Sequence, residues 1–273
     1  EGETENQFVD RIVGNLENLI IAEDPSTIAA FIAEPITGAS GVIVPPDGYY
    51  QGIQNVLDKY GIMFWADEVI TGFGRTGNDF GCTTMEIKSP DMMTFAKQLS
   101  SAYMPISASA IRRDVYEAMI DQSASAGAFG HGYTYSGHPV ACAVALRVLE
   151  IYDRDEIFDR ASTTGKYLQE QLSQFSSHPL VGEVRGSGLL AALELVPNKE
   201  LNHQFKDGKV GGVAQKMAQD NGLLIRTVAG SSIGICPPLI ITNNQIDELI
   251  DKLGDALDTV SYTHLTLPTT MLV

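Results

Sequence analysis

A lysine and three carboxylates stand at or near the ends of apolar runs. Lys97 closes PDMMTFAK (90–97), Asp67 and Glu68 lie near the end of IMFWADEVI (62–70), and Glu34 lies near the end of TIAAFIAEPI (27–36). Each run is short, apolar and nearly continuous, which reads as a buried strand. Glu34 to Asp67 is 33 residues and Asp67 to Lys97 is 30, about the length of one strand–helix–strand unit. Such crossovers make strands parallel, so the three ends share one edge of a sheet. Ligands of open α/β sheets bind at the carboxyl ends of the strands. Glu34, Asp67 and Lys97 are therefore expected at one crevice.

A lysine at a strand end is usually a solvated charge, since lysine is rarely buried. The combination says more. A partly desolvated lysine is a nucleophilic amine able to form a Schiff base. An aspartate reached through an apolar strand is suited to hold a protonated ring nitrogen, because a buried carboxylate needs a cationic partner. These are the two contacts that pyridoxal 5'-phosphate requires, a lysine on the aldehyde carbon and an acid on the pyridinium. Asp67 would keep the ring nitrogen protonated, and Lys97 would carry a proton between the substrate Cα and the cofactor. In HGYTYSGHPVACAVAL (131–146), Thr134, Tyr135, Ser136 and Gly137 precede a helix. That makes either an anion site fit for a phosphate or an ordinary helix cap. GLLIR (222–226) ends in Arg226. A guanidinium at a strand end can clamp a substrate carboxylate; the alternative is a surface arginine.

GFGRTG (72–77) matches G-x-G-x-x-G after a strand and raises a rival, a nucleotide-dependent oxidoreductase. The next segment of the chain, NDFGCTTMEIKSPD, has no helical period, and Glu86 and Asp91 come too early for the ribose-binding acid. The glycines read instead as tight turns beside the crevice.

The elements that must position these residues alternate. Helices are expected over 6–23, 47–61 and 138–152, strands over 27–36, 62–70 and 90–97, and a fourth strand over 106–113. This is an α/β pattern with a mainly parallel sheet. After a charged helical stretch at 150–175 come VRGSGLLAALELV (184–196), a helix at 210–221, GLLIR, IGICPPLIIT (233–242) and a helix at 243–259. They read as a smaller α+β domain. The expected division is a large domain over 1–155, a small one over 156–260, and a non-native tail over 261–273 (SYTHLTLPTTMLV). Net charge is −16, which disfavours nucleic acid and anionic membrane as partners. Cys82, Cys142 and Cys236 are scattered, as expected of a reducing, cytoplasmic setting without disulfides. The five histidines lack zinc-ligand spacing, so no metal is expected.

FIAEPITGASGVIVPPDGYY, WADEVITGFGRTG, DMMTFAKQLSSAYMPISA, HGYTYSGHPVACAVAL and ICPPLIIT resemble, in order, motifs of the class III (subgroup II, omega-type) aminotransferases. The resemblance implies a fold-type I pyridoxal-phosphate transferase that moves an amino group from an amine or ω-amino acid to a keto acid such as pyruvate. It implies Lys97 as the Schiff-base lysine, Asp67 on the pyridine nitrogen and Val69 against the cofactor ring. It also implies Thr134 on the phosphate of a neighbouring subunit, hence a homodimer, with Glu34 beside the site and Arg226 on substrate carboxylates. HGYTYSGHP is most like the amine:pyruvate branch. 4-Aminobutyrate and ornithine transaminases, aminomutases and decarboxylases share the motifs. The family's N-terminal third, which supplies a phosphate loop and a stacking aromatic, is expected to be missing, so an inactive remnant is a further reading.

Overall fold

The computed structural model describes residues 2–199, 205 and 209–263. The chain forms two compact units. The first takes in the described residues up to Pro35, then Pro45–Phe73 and Phe80–Glu156. The second takes in Ile36–Val44, Gly74–Asp79 and the chain from Ile157. A single cut at 155/156 leaves out these two short excursions.

The first unit begins with α1 (Glu5–Ala22), started by a capping box in which Thr4 and Gln7 satisfy each other's backbone N–H. β1 (Ala30–Ala33), α2 (Tyr49–Tyr60) and β2 (Met63–Asp67) follow. α2 ends at Gly61, whose φ of 66° is the left-handed cap that glycine adopts without strain. Its N-cap is Gly48, with no side-chain cap from Asp47. Then come α3 (Gly81–Thr84), β3 (Met92–Phe95), β4 (Ala108–Ile111), α4 (Arg113–Ala126) and α5 (Pro139–Arg154). The helix α4 was not expected from sequence; Val115, Tyr116, Met119 and Ile120 are at helical spacing, yet none of its residues is buried.

The sheet order is β1-β2-β3-β4. The first three strands are parallel, and β4 runs antiparallel on the β3 edge. The strands are shorter than the apolar runs and not buried on both faces. In β2, Phe64 and Ala66 are buried, whereas Met63, Trp65 and Asp67 are half-buried. Side chains alternate across a strand, so one face packs on a core with Ile20, Tyr50, Ile53 and Leu57. The other face carries Trp65 and Asp67. On edge strand β1, Ile32 is 59% exposed.

The second unit holds α6 (Ile157–Ser173), β5 (Val181–Ser187), β6 (Leu190–Leu195), α7 (Val210–Asp220), β7 (Arg226–Val228), β8 (Ser232–Ile235) and α8 (Asn243–Ser261). Its sheet, ordered β5-β6-β8-β7, is antiparallel throughout. Leu168, Leu172, Leu193, Ile233, Ile246 and Leu253 are among its fully buried side chains. Gly188 makes the β5–β6 turn at φ 58°, and a Cβ there would lie 2.3 Å from the Thr76 carbonyl carbon. α8 runs through Ser261, one residue into the expected tail; residues 264–273 of that tail lie outside the described residues.

Candidate active site

Strand register, rather than sequence distance, sets the spacing of the tips. Ala33 pairs with Ala66, which puts Glu34 level with Asp67. Asp67 pairs with Thr94, three residues before Lys97. Glu34, Asp67 and Lys97 therefore lie on one edge of one sheet. Tyr50, buried beneath, donates its hydroxyl to the Glu34 carbonyl at 2.6 Å, and burial pushes its phenol up so that it stays a donor.

Lys97 sits in a turn. Beyond β3 the backbone enters a short 3₁₀ segment, Lys97–Ser100, with left-handed φ at Lys97 (45°), Ser101 (49°) and Ala102 (62°). Bonds from outside hold this shape. Tyr152 on α5 directs its hydroxyl at the Gln98 carbonyl (2.9 Å) and at Gln98 Oε1 (3.1 Å). Ser100 Oγ donates to the Met104 carbonyl at 2.6 Å. Lys97 itself is exposed, with no ion pair or side-chain hydrogen bond among the described residues. The expected desolvation is thus absent among the described residues: Lys97 is exposed and lies past the end of β3.

Asp67 is half-buried, and its Oδ1 accepts the Val69 N–H at 3.0 Å. Oδ2 has no hydrogen-bond partner among the described residues. Glu68, next along the strand, has the opposite parity and is fully buried. Its carboxylate accepts from Thr71 Oγ1 (2.5 Å), Gly81 N–H (2.9 Å) and Cys82 N–H (2.7 Å). A Cβ on Gly81 would lie 2.6 Å from the Thr71 Cβ, so only glycine permits this approach. Burial, with Glu68 alongside, pushes the Cys82 thiol up and leaves it an inert core group. Phe73 and Phe80 meet Phe95, the last residue of β3, with ring centroids 5.7 and 5.5 Å away.

GFGRTG opens no helix. Its residues lie in turns, and α3, the next helix, spans only Gly81–Thr84. Arg75 is 5% exposed and donates to the carbonyls of Leu189 (3.0 Å) and Pro237 (2.6 Å), so it braces the second unit. Arg226 is the first residue of β7, not the last of a strand over 222–226, and it is exposed. β7 starts only where Arg226 pairs with Gly234. Thr134 is exposed on the loop before α5, between Tyr133 and Tyr135, each 79% exposed. The Ser136 hydroxyl accepts the Tyr133 N–H at 3.0 Å, and the Ser136 and His138 N–H groups bond carbonyls of the same loop. Two clefts of about 630 and 380 Å³, one beside β8 and α8 and one at the amino ends of β2 and β3, include none of the strand-tip residues.

The class-III aminotransferase profile matches residues 1–257. The chain belongs to the class-III aminotransferase family. Among the relatives of this aminotransferase chain, "Probable gamma-aminobutyrate transaminase 3, mitochondrial" of Oryza sativa subsp. indica is 49% identical over 256 residues, 93% of this chain and 50% of its own length. "Gamma aminobutyrate transaminase 2" of Solanum lycopersicum is 45% identical over 257 residues, covering 94% and 56%. The chain thus spans about half the length of the curated relatives it matches. A solved structure described as "Transaminase with L-ala" superposes with a TM-score of 0.93 at 46% identity, over 96% of this chain and 62% of that one. The omega transaminase from Pseudomonas jessenii in complex with PMP gives 0.93 at 46%, over 96% and 58%. The fold is that of these fold-type I, α/β transferases.

Sequence placed Glu68 near a strand end without giving it a role, and did not mark Arg75. Glu68 shares the parity of the buried Phe64 and Ala66, a signal of burial visible in the strand pattern. Arg75 carries no such signal, because its carbonyl partners lie 114 and 162 residues away.

Proposed function

We propose that this chain is the part of a pyridoxal 5'-phosphate-dependent transaminase that carries the aldehyde lysine and the ring-nitrogen acid. The complete enzyme transfers an amino group from an amine or ω-amino acid to a keto acid such as pyruvate, in two half-reactions. The observation that carries this reading is the register of β1, β2 and β3, which places Glu34, Asp67 and Lys97 on one sheet edge. The residues fit the cofactor. Asp67 offers Oδ2, and Lys97 offers an amine nitrogen without a protein partner among the described residues. When bound, the cofactor supplies an electron sink for the carbon that bears the substrate amine. Asp67 holds the proton on the ring nitrogen. Lys97 Nζ would hold the cofactor through its aldehyde carbon and, once the substrate amine displaced it, would be the group that takes the proton from the substrate Cα. Val69, half-buried and next but one to Asp67, is the residue assigned to the ring face.

The names of the curated relatives support an ω-amino acid donor of the 4-aminobutyrate kind, and Arg226 is the residue assigned to its carboxylate. The exposure of Thr134 supports its assignment to the phosphate of a second subunit in a homodimer. Borohydride reduction in the presence of pyridoxal phosphate, followed by peptide mass mapping, tests the core of this reading. Stoichiometric label on Lys97 is expected, with none in Lys97→Ala. Label scattered over other lysines refutes it.

A further inference from the structure

We propose that Glu68 is the positioning residue for the Asp67 carboxylate and so sets the preference of this site for a ring that contains a basic nitrogen. The inference deepens the function proposed above and rests on it. Burying a carboxylate is unfavourable unless its lone pairs are satisfied. Glu68 is 0% exposed, and both carboxylate oxygens accept hydrogen bonds, from Thr71, Gly81 and Cys82. Its backbone is engaged as well. The Glu68 N–H donates to the Thr94 carbonyl at 3.0 Å, and the Glu68 carbonyl accepts the Gly72 N–H at 3.0 Å. Residue 68 is therefore held through side chain, N–H and carbonyl together.

That fixation passes to Asp67. The bond from Val69 N–H to Asp67 Oδ1 spans the two peptide planes that flank Glu68. If those planes turn, Oδ1 loses its donor and the carboxylate rotates. Oδ2, the oxygen left for the ring nitrogen, then moves off its line. Glu68, 0% exposed, is a positioning residue and not a contact of ring or substrate. It acts only through the turn and through Asp67.

Glu68→Gln keeps the shape but turns an NH₂ toward a donor that a carboxylate oxygen accepts from in the wild type. The test compares the dissociation constants of pyridoxal phosphate and its 1-deaza analogue, in which carbon replaces the ring nitrogen. Wild type is expected to prefer pyridoxal phosphate by about tenfold or more, the value of a charge-assisted hydrogen bond. Glu68→Gln is expected to cut that preference at least about threefold. Asp67→Ala is expected to abolish it, and adding Glu68→Gln to Asp67→Ala to change the ratio no further. A merely structural anchor would weaken both ligands alike and leave the ratio standing, which overturns the proposal. If Glu68→Gln does not fold, Thr71→Val, which removes one donor, is judged by the same ratio. Wild type that binds neither ligand overturns the functional reading and this inference with it. Wild type that binds both, with a ratio insensitive to residues 68 and 71, overturns this inference alone.

Discussion

Tyr152→Phe removes one hydroxyl from the buried base of the lysine turn. Tyr152 is 7% exposed, and its hydroxyl lies 2.9 Å from the carbonyl of Gln98, the residue after Lys97. The turn is intrinsically unfavourable. Left-handed backbone costs roughly 1–2 kcal/mol per non-glycine residue, and Lys97, Ser101 and Ala102 all adopt it. About 3–6 kcal/mol must therefore be offset locally. Backbone bonds such as Leu99 N–H to the Ala96 carbonyl (2.9 Å), the Ser100–Met104 bond and the Tyr152 hydroxyl do this. Losing a buried hydrogen bond whose acceptor is half-exposed costs about 1–2 kcal/mol. That is a sizeable part of what holds the turn. Urea unfolding should show a loss of about 1–2 kcal/mol. Amide exchange over 97–103 should accelerate about 5–30-fold. Reductive labelling of Lys97 should slow, because the amine is presented by a looser backbone. Unchanged exchange over 97–103, with the stability loss spread evenly along the chain, would refute a role for Tyr152 in holding the turn.

Other perturbations separate close packing from open surface. Gly188→Ala should destabilise the second unit by more than about 2 kcal/mol, since it adds left-handed strain to a clash, a Cβ 2.3 Å from the Thr76 carbonyl carbon. Gly212→Ala, inside α7 with nothing within 4 Å of its added Cβ, should stabilise by up to about 1 kcal/mol. Chemical denaturation checks both. A thiol reagent should label exposed Cys236 first and reach buried Cys82 only on unfolding; peptide mapping that finds Cys82 labelled in the native chain contradicts the packing around Glu68. The hydrogen bond from Arg112 holds the Asp114 carboxyl down from 3.8 to about 2. A depressed folded pKa means that the contribution is present above about pH 4 and lost as pH falls toward 2. Arg112→Ala should therefore flatten that part of the acid limb in a pH series of melts.

The strand tips were legible because their signals are local. Apolar runs of strand length, spaced by helices with caps such as Gly61, place Glu34, Asp67 and Lys97 at carboxyl ends whatever packs around them. The division of labour between Asp67 and Glu68 was only half legible. Strand parity separates them, yet the apolar run looks continuous, and which face would be covered depends on where α1 and α2 lie. Arg226 was misplaced because GLLIR has strand composition, whereas β7 begins only where Gly234 offers a pairing partner. α4 was not expected, and among the described residues it buries none of its own.

Sequence alone determined the period of each element, the caps that end the helices and the side chains carried to the sheet edge, since these follow from backbone geometry within a few residues. The tertiary structure decided how each charge is held. Glu68 is buried because the N–H groups of Gly81 and Cys82, 13 and 14 residues on, return to it. Arg75 is buried because distant carbonyls accept from it, and Lys97 keeps a left-handed turn because Tyr152, 54 residues beyond Gln98, reaches its base. The free energy of a buried or strained polar group is set by partners that only the fold brings near, and no local pattern encodes them.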